Sequence, residues 1–272
     1  MIEHRVSPAG DWETVARPPH PALAPLVQRG YVGYRESGRP LARLETPHQA
    51  ITVILNLGPP IAVTGWAGTG SFVAGLHDRA VVTEHQGEQL GIQMDLTPLG
   101  AQMLFGLPMG ELSRRVVDLD AVLSGELTER LADAPDWPAR FALLDRVLLA
   151  RLERAVAPRP DVAYAWARLG ATRGAIGIER LCAELGCSRR HLSGRFAQDI
   201  GLGPKAVARI LRFRRVLARL DEAGGAARFA EIAVAGGYYD QSHLNRDFRE
   251  LASCTPREYL ARRLPEQRGV AA

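Results

Sequence analysis

Three cysteines in 272 residues, Cys182, Cys187 and Cys254, make an odd count, and a chain of this length needs no disulfide staples. A reducing cytoplasm is the expected setting. No run of about eighteen apolar residues occurs, so no segment is expected to cross a membrane. The opening Met1-Ile2-Glu3-His4-Arg5 lacks the apolar core of a secretory signal, so the protein is expected to stay where it is made. Catalytic signatures are missing too: there is no Walker-type glycine loop, no nucleophile elbow and no HExxH helix. Neither an enzyme activity nor a cofactor is expected. Cys182 and Cys187 lie five apart without further ligands nearby, which does not make a zinc site, and they are expected to be small buried side chains.

What is present is unevenly distributed. Residues 156–272 hold 20 Arg and Lys against 12 Asp and Glu, whereas residues 1–155 hold 14 against 18. A basic half joined to an acidic half suggests that only the C-terminal part meets a polyanion.

The first thirty residues carry Pro18, Pro19, Pro21 and Pro25 and read as an irregular lead-in. Period-two alternation then sets in at Ile51, Val53, Leu55 and Leu57, and returns at Leu90, Ile92, Met94 and Leu96. Shorter runs lie between them at 61–63 and 71–74, among Gly and Pro breaks. Such strands predict an antiparallel sheet folded into a sandwich or small barrel. Thr97-Pro98 looks like an N-cap and first helical residue, with a stop near Gly106. Two more helices are expected around 120–132 and 138–156. On the second, Phe141, Leu144, Leu148 and Leu152 form one apolar stripe, which either packs on the sheet or pairs with a second copy of the chain. Ala157-Pro158-Arg159-Pro160 is the clearest linker, and beyond it the pattern is helical throughout.

The helical part contains a repeat. Leu181, Gly186, His191, Leu192, Phe196 and Pro204 are matched by Ile232, Gly237, His243, Leu244, Phe248 and Pro256. The last four pairs are offset by 52 positions and the first two by 51, so the second unit has one extra residue in its turn. Each unit has the anatomy of a helix-turn-helix. A short helix ends at a glycine able to adopt the left-handed conformation, and a polar N-cap, Ser188 or Asp240, opens the next helix. Leu192/Phe196 and Leu244/Phe248, four apart, mark the buried edge of that second helix. Its opposite face carries Arg190, Ser193, Gly194 and Ala197 in the first unit and Ser242, Asn245, Arg246 and Arg249 in the second. Both faces are free of large apolar groups, as a surface entering the major groove should be. From Pro204 to about Asp221 a helix roughly 27 Å long joins the units, close to the roughly 34 Å between successive groove faces.

At these residues the chain resembles the AraC/XylS family of regulators. The matching features are Ile232-Ala233, Gly237-Tyr238, Ser242-His243-Leu244, Arg246-x-Phe248 and Thr255-Pro256, and the resemblance covers about residues 161–263. Leu244 stands where Phe is commoner, and Gly194 fills a groove-facing slot usually given to a larger side chain. The resemblance implies a sequence-specific DNA-binding transcription regulator working at double-stranded promoter sites with RNA polymerase, as a nucleoid-associated cytoplasmic homodimer. It also implies a cupin-like N-terminal domain that senses a small-molecule effector and dimerises. The expected architecture is α+β: residues 1–156 as sensor, 157–160 as linker, 161–263 as double helix-turn-helix DNA-binding domain and 264–272 as a flexible tail.

Arg246 is expected to contact guanine, while Arg190 is expected to contact either guanine or phosphate. Gln241, Ser242, Asn245, Ser193 and Gly194 are placed at the groove, and Arg249 on the same face. Arg189, Arg195, His191 and His243 are expected at phosphates or the neighbouring helix. In the N-terminal part, Trp66, Phe72, His77 and Met94 either line an apolar ligand pocket or simply fill the core. His48, His77 and His85 with Glu84 resemble the ligands of metal cupins, but the close His-x-His pairing is absent and no metal is expected. A catalytic or metal-binding cupin fused to a DNA-binding tail, or an architectural DNA-binding protein, are the alternative readings.

Overall fold

The alternation at 51–57 and 90–96 becomes two central strands of a seven-stranded antiparallel sheet. The computed structural model describes every residue except 1, 8, 9, 124, 125, 225–227 and 265–268. Its strands in chain order are β1 (Ile2–Ser7), β2 (Gly10–Arg17), β3 (Val27–Gly38), β4 (Leu41–Glu45), β5 (Ile51–Asn56), β6 (Ala62–Val63), β7 (Phe72–Ala74), β8 (Val81–His85), β9 (Glu88–Leu96) and β10 (Val116–Asp118). The large sheet runs β1-β2-β3-β9-β5-β7-β10, and β4-β8-β6 form a second, three-stranded sheet. Period-two alternation lets β5 and β9 bury a side on each sheet face. Val53, Leu55, Ile92 and Met94 go into the main core, while Ile54 faces the second sheet.

The expected irregular lead-in is corrected by this sheet: among the described residues of the first thirty, the break in the strands lies around Pro18–Pro25, with β2 before it and β3 after. β3 hides its own period because the ladder to β9 slips between Gln28 and Tyr31, at Arg29 (φ 60°) and Gly30 (φ 82°). The helix expected around 120–132 is also shorter. A 3-10 turn at Leu119–Ala121 precedes α2 (Glu126–Ala132), and residues 124–125 lie outside the described residues.

α1 (Pro98–Phe105) starts at Thr97, whose hydroxyl accepts from the Gly100 N–H at 3.0 Å, and stops at left-handed Gly106. α3 (Trp137–Leu152) carries the apolar stripe. Phe141, Leu144 and Leu148 are at most 1% exposed within this one chain, so the stripe packs inside it and is not free to meet a second copy. Tyr31 stacks on Phe141 at 5.9 Å, and the buried Asp145 beside them accepts from Tyr31 Oη at 2.9 Å, the His20 N–H at 2.9 Å and Arg17 at 3.2 Å. A buried carboxylate with three donors has its desolvation met.

The C-terminal part is helical: α4 (Pro160–Ala171), α5 (Ile178–Leu185), α6 (Arg189–Ile200), α7 (Pro204–Ala223), α8 (Phe229–Gly236), α9 (Gln241–Ala252) and α10 (Pro256–Ala261). β11 (Arg263–Leu264) and β12 (Gly269–Val270) follow, and the chain end returns to the first domain. Ala271 bridges Arg43, and the Ala272 N–H donates to the Ala42 carbonyl at 3.1 Å. Residues 264–272 were expected as a flexible tail; of these, 269–272 lie along β4 and 265–268 fall outside the described residues.

Candidate nucleic-acid interface

Both helix-turn-helix units form as their turn chemistry requires. α5 ends at Gly186 (φ 61°) and α8 at Gly237 (φ 86°), the left-handed conformation glycine adopts without strain. Ser188 then accepts from the His191 N–H at 3.2 Å to open α6, and Asp240 from the His243 N–H at 2.7 Å to open α9. Leu192, Phe196, Leu244 and Phe248 are each at most 1% exposed. Phe248 meets Phe213 of α7 edge-on at 4.9 Å.

The opposite faces lie open. Arg190, Ser193, Gly194, Gln241, Ser242, Arg246 and Arg249 are exposed and Asn245 half-buried. Among the described residues Arg190, Arg246 and Arg249 have no ion-pair or hydrogen-bond partner, so their guanidinium donors are available. Arg189 and Arg195 differ: Arg189 pairs with Glu179, and Arg195 holds Asp161 at 2.9 Å. Both brace α6 against its neighbours. His243 packs edge-on against Tyr238 at 5.1 Å. Ala197, read as part of the groove face, sits instead where α6 meets the first domain. Tyr239 was not foreseen. At 90% exposure beside the N-terminus of α9 it is the most exposed large hydrophobic side chain among the described residues, and its position just after the Gly-aromatic turn was the available signal.

α7, about 30 Å long at 1.5 Å per residue, is the rigid bar between the units. Arg209 on it holds Asp247, which is 5% exposed, at 2.8 Å, and also pairs with Glu250, fastening α9. Arg212 donates to the Gly174 carbonyl at 3.1 Å and Arg215 to the Gly236 carbonyl. Each thereby commits one of its donors to the domain's own backbone.

The first domain and the linker touch this apparatus at several places. A 3-10 turn at Met109–Leu112 lies on the last turns of α6, where a Cβ on Gly110 would meet the Gln198 carbonyl at 3.1 Å and one on Gly201 the Met109 carbonyl at 2.9 Å. Arg159, in the linker, grips the 1%-exposed Asp199 of α6 through two bonds of 2.5 and 2.7 Å. Farther along, Arg214 of α7 donates to Thr46 Oγ1 at 3.3 Å.

Thr46 also borders a cavity of about 310 Å³ between the two sheets. Phe72 and His77 line it. Trp66 stands behind, 5.1 Å from Phe72, and Met94 points into the main core. Its lining includes a buried polar group, in which Arg43 forms a two-bond pair with Glu36 at 2.7 Å and reaches Gln89 at 3.4 Å. It also includes apolar Ile54, Ile61 and Val63. His77 Nδ1 donates to the Gly75 carbonyl at 2.7 Å, which leaves Nε2 as an acceptor, and burial pushes the pKa of His77 down. His48 lines the same cavity, whereas the buried His85 turns to Glu36 at 3.9 Å. Among the described residues no three His, Cys, Asp or Glu side chains gather closely enough to hold a metal ion.

Known proteins share these parts. Residues 181–262 match the family described as "Helix-turn-helix domain", and residues 16–118 match a domain of unknown function (DUF6597). Among curated protein sequences none matches the chain significantly. Of solved structures, ToxT from Vibrio cholerae is similar at 12% identity over 87% of this chain and 98% of its own, with a TM-score of 0.48. The C-terminal domain of AraT, a response regulator from Geobacillus stearothermophilus, is 21% identical over 40% of this chain and 90% of its own, with a TM-score of 0.35. The AraC-like transcriptional activator CuxR is 16% identical over 81% and 87%, with a TM-score of 0.33. Residues 181–262 thus belong to a helix-turn-helix domain family, set behind an N-terminal domain of unknown function.

Proposed function

We propose that the chain reads a promoter sequence through α6 and α9 and that a small molecule held between its two sheets sets the affinity of that reading. Arg246, Arg190, Gln241, Ser242 and Asn245 are assigned to base edges, with Ser193 and Gly194 at the groove and Arg249 and Tyr239 at its border. The observation that carries the proposal is the pair of open, unpaired polar helix faces on one rigid bar. The cavity adjoins that bar: Thr46, Pro47, His48 and Ala50 form part of its wall, and Thr46 is bonded to Arg214 of α7.

The cavity suits a ligand with an apolar body and a few hydrogen-bonding groups, since its lining combines aliphatic side chains with Arg43, His77 and Gln93. Its volume is at the small end of ligand sites. A ligand changes DNA affinity only by the difference between its own affinities for the two states, and the coupling is reciprocal. Selecting binding sites from a random DNA pool, with and without a metabolite collection, tests both parts. One enriched motif, with at least one compound that shifts affinity in the full chain and no longer does so in Phe72→Ala, is the expected result. An absence of any sequence preference would make the chain an architectural binder and end the proposal. Binding of a motif that no compound affects would end the effector part alone.

A further inference from the structure

A second cavity, of about 530 Å³, opens where the two domains meet. Gln28, Arg29 and Gln49 form its first-domain side, and Arg173, Arg214 and Arg215 its second-domain side, with Trp166 and Leu211 as the apolar wall. Among the described residues no Asp or Glu lines it. Four guanidinium groups face one space without a carboxylate, which raises the energy of the empty site and leaves donors over. Arg215 spends one donor on the Gly236 carbonyl and Arg214 one on Thr46. Among the described residues neither the Arg29 nor the Arg173 guanidinium has a hydrogen-bond or ion-pair partner, although the Arg173 N–H donates to the Gly170 carbonyl at 2.9 Å.

The backbone supports the same reading. Arg29 (φ 60°) and Arg173 (φ 50°) are two of only four non-glycine residues described in the left-handed region, a conformation that costs an ordinary residue about 1–2 kcal/mol. One sits at the β3 slip and the other at the end of α4, and the two bring their side chains to the rim of one cavity. Arg214 and Arg215 lie half-buried, and burial together with the neighbouring arginines pushes both of their pKa values down.

We infer that this interdomain cavity binds a small organic polyanion, a metabolite bearing phosphoryl or several carboxyl groups, clamped between Arg29 of the first domain and Arg173, Arg214 and Arg215 of the second. Planar guanidinium forks match oxyanions of either kind. The space is lined from both domains, as a small anion would need, and the arginines proposed to read bases lie elsewhere, on α6 and α9. Because the clamp spans both domains, its occupant controls how tightly the first domain holds α7. It is a separate space from the cavity between the sheets, and the Arg214–Thr46 bond lies between the two.

Titration of the full chain with inorganic phosphate and with citrate, against chloride at matched ionic strength, tests this by calorimetry and thermal melting. One site per chain and a raised melting temperature with either anion are expected; phosphate alone, or citrate alone, identifies which oxyanion source the site prefers and also supports it. Arg29→Gln with Arg173→Gln, both exposed positions, should weaken binding by about tenfold. Gln49→Glu supplies a carboxylate from within. It should raise the melting temperature without anion and remove the response to added anion. No binding of either anion, or equal binding in wild type and both variants, overturns the inference. So does a double variant that binds the anions normally but loses affinity for all DNA sequences alike, since the arginines would then serve the DNA backbone.

Discussion

The two reading helices are built alike and held differently. α9 is fastened only within its own domain, by Arg209 on Asp247 and Glu250, and its outward face keeps Gln241, Ser242, Asn245, Arg246 and Arg249. α6 is fastened at both ends. Arg189 and Arg195 are tied to Glu179 and Asp161, and its last turns carry the Met109–Leu112 turn and the Arg159–Asp199 clamp. It presents less side chain, with Gly194 at its centre. Under the proposed function, this difference assigns most of the base discrimination to α9 and gives α6 the added task of placing the module against the first domain.

The sharpest way to break this comparison is to release α9. Arg209→Ala leaves Asp247 buried at 5% exposure without its cation. Removing one partner of a buried pair costs about 3–5 kcal/mol, and the 28% exposure of the Arg209 side chain places this case at or below the lower figure. Chemical denaturation should show that loss, and DNA affinity should fall with it. Releasing α6 through Arg159→Ala should cost less, because the Arg159 side chain is already 36% exposed. Its signature should be a weakened response to effector rather than lost reading. Equal effects of the two variants on basal DNA affinity would erase the distinction.

Next in size is base reading. Arg246→Ala should cost about 1–3 kcal/mol at the preferred site and relax one base position, and Arg190→Ala should cost less. Salt titrations separate the alternatives, since loss of a phosphate contact weakens all sequences alike and lowers the salt slope by about one. The assignment of Arg246 to a base fails if its alanine variant loses the same affinity on specific and on random DNA.

Much of this was legible from the chain alone, and the reason is locality. The left-handed Gly186 and Gly237, the caps Ser188 and Asp240, and the Thr97-Pro98 helix start are decided by residues within four positions of one another. β3 was hidden because its slip at Arg29 and Gly30 breaks the period that would have announced it. The stripe on α3 was ambiguous because an apolar helix face looks the same under its own sheet as under a second copy. The Arg159–Asp199 clamp and the Thr46–Arg214 bond join residues 40 and 168 apart. No local pattern encodes such pairs, so the route between the domains was not readable.

Acid probes that route. Burial lowers the pKa of His48, His77 and His85, against the opposing pull of Asp95, Asp78 and Glu36 respectively. A histidine whose folded pKa lies below its unfolded value of about 6.5 is protonated more readily in the unfolded chain. Stability is therefore full above that pH and falls as the pH drops below it. Melting should decline from pH 7 to pH 5, and hydrogen exchange should rise in the first domain and in α6 before α9. Simultaneous loosening of both reading helices would mean that α6 is no more tied to the first domain than α9 is.

The smallest effect expected is a gain. Gly194 lies in the middle of α6, exposed, and a Cβ built on it would meet nothing within 4 Å. Alanine there keeps the helical conformation and removes the entropy that glycine loses on folding, worth about 0.5–1 kcal/mol. Gly194→Ala should therefore stabilise the chain by that amount and leave DNA affinity nearly unchanged, because one methyl group neither adds nor removes a hydrogen bond. Gly194→Asn at the same place puts an amide able to pair with adenine on the groove face. If α6 is chiefly a positioning helix, the asparagine variant should acquire a base preference that the wild type lacks at that step of its site. If it instead loses affinity for the selected motif, the wild-type backbone approaches the DNA closely at Gly194, and α6 is a reader in its own right.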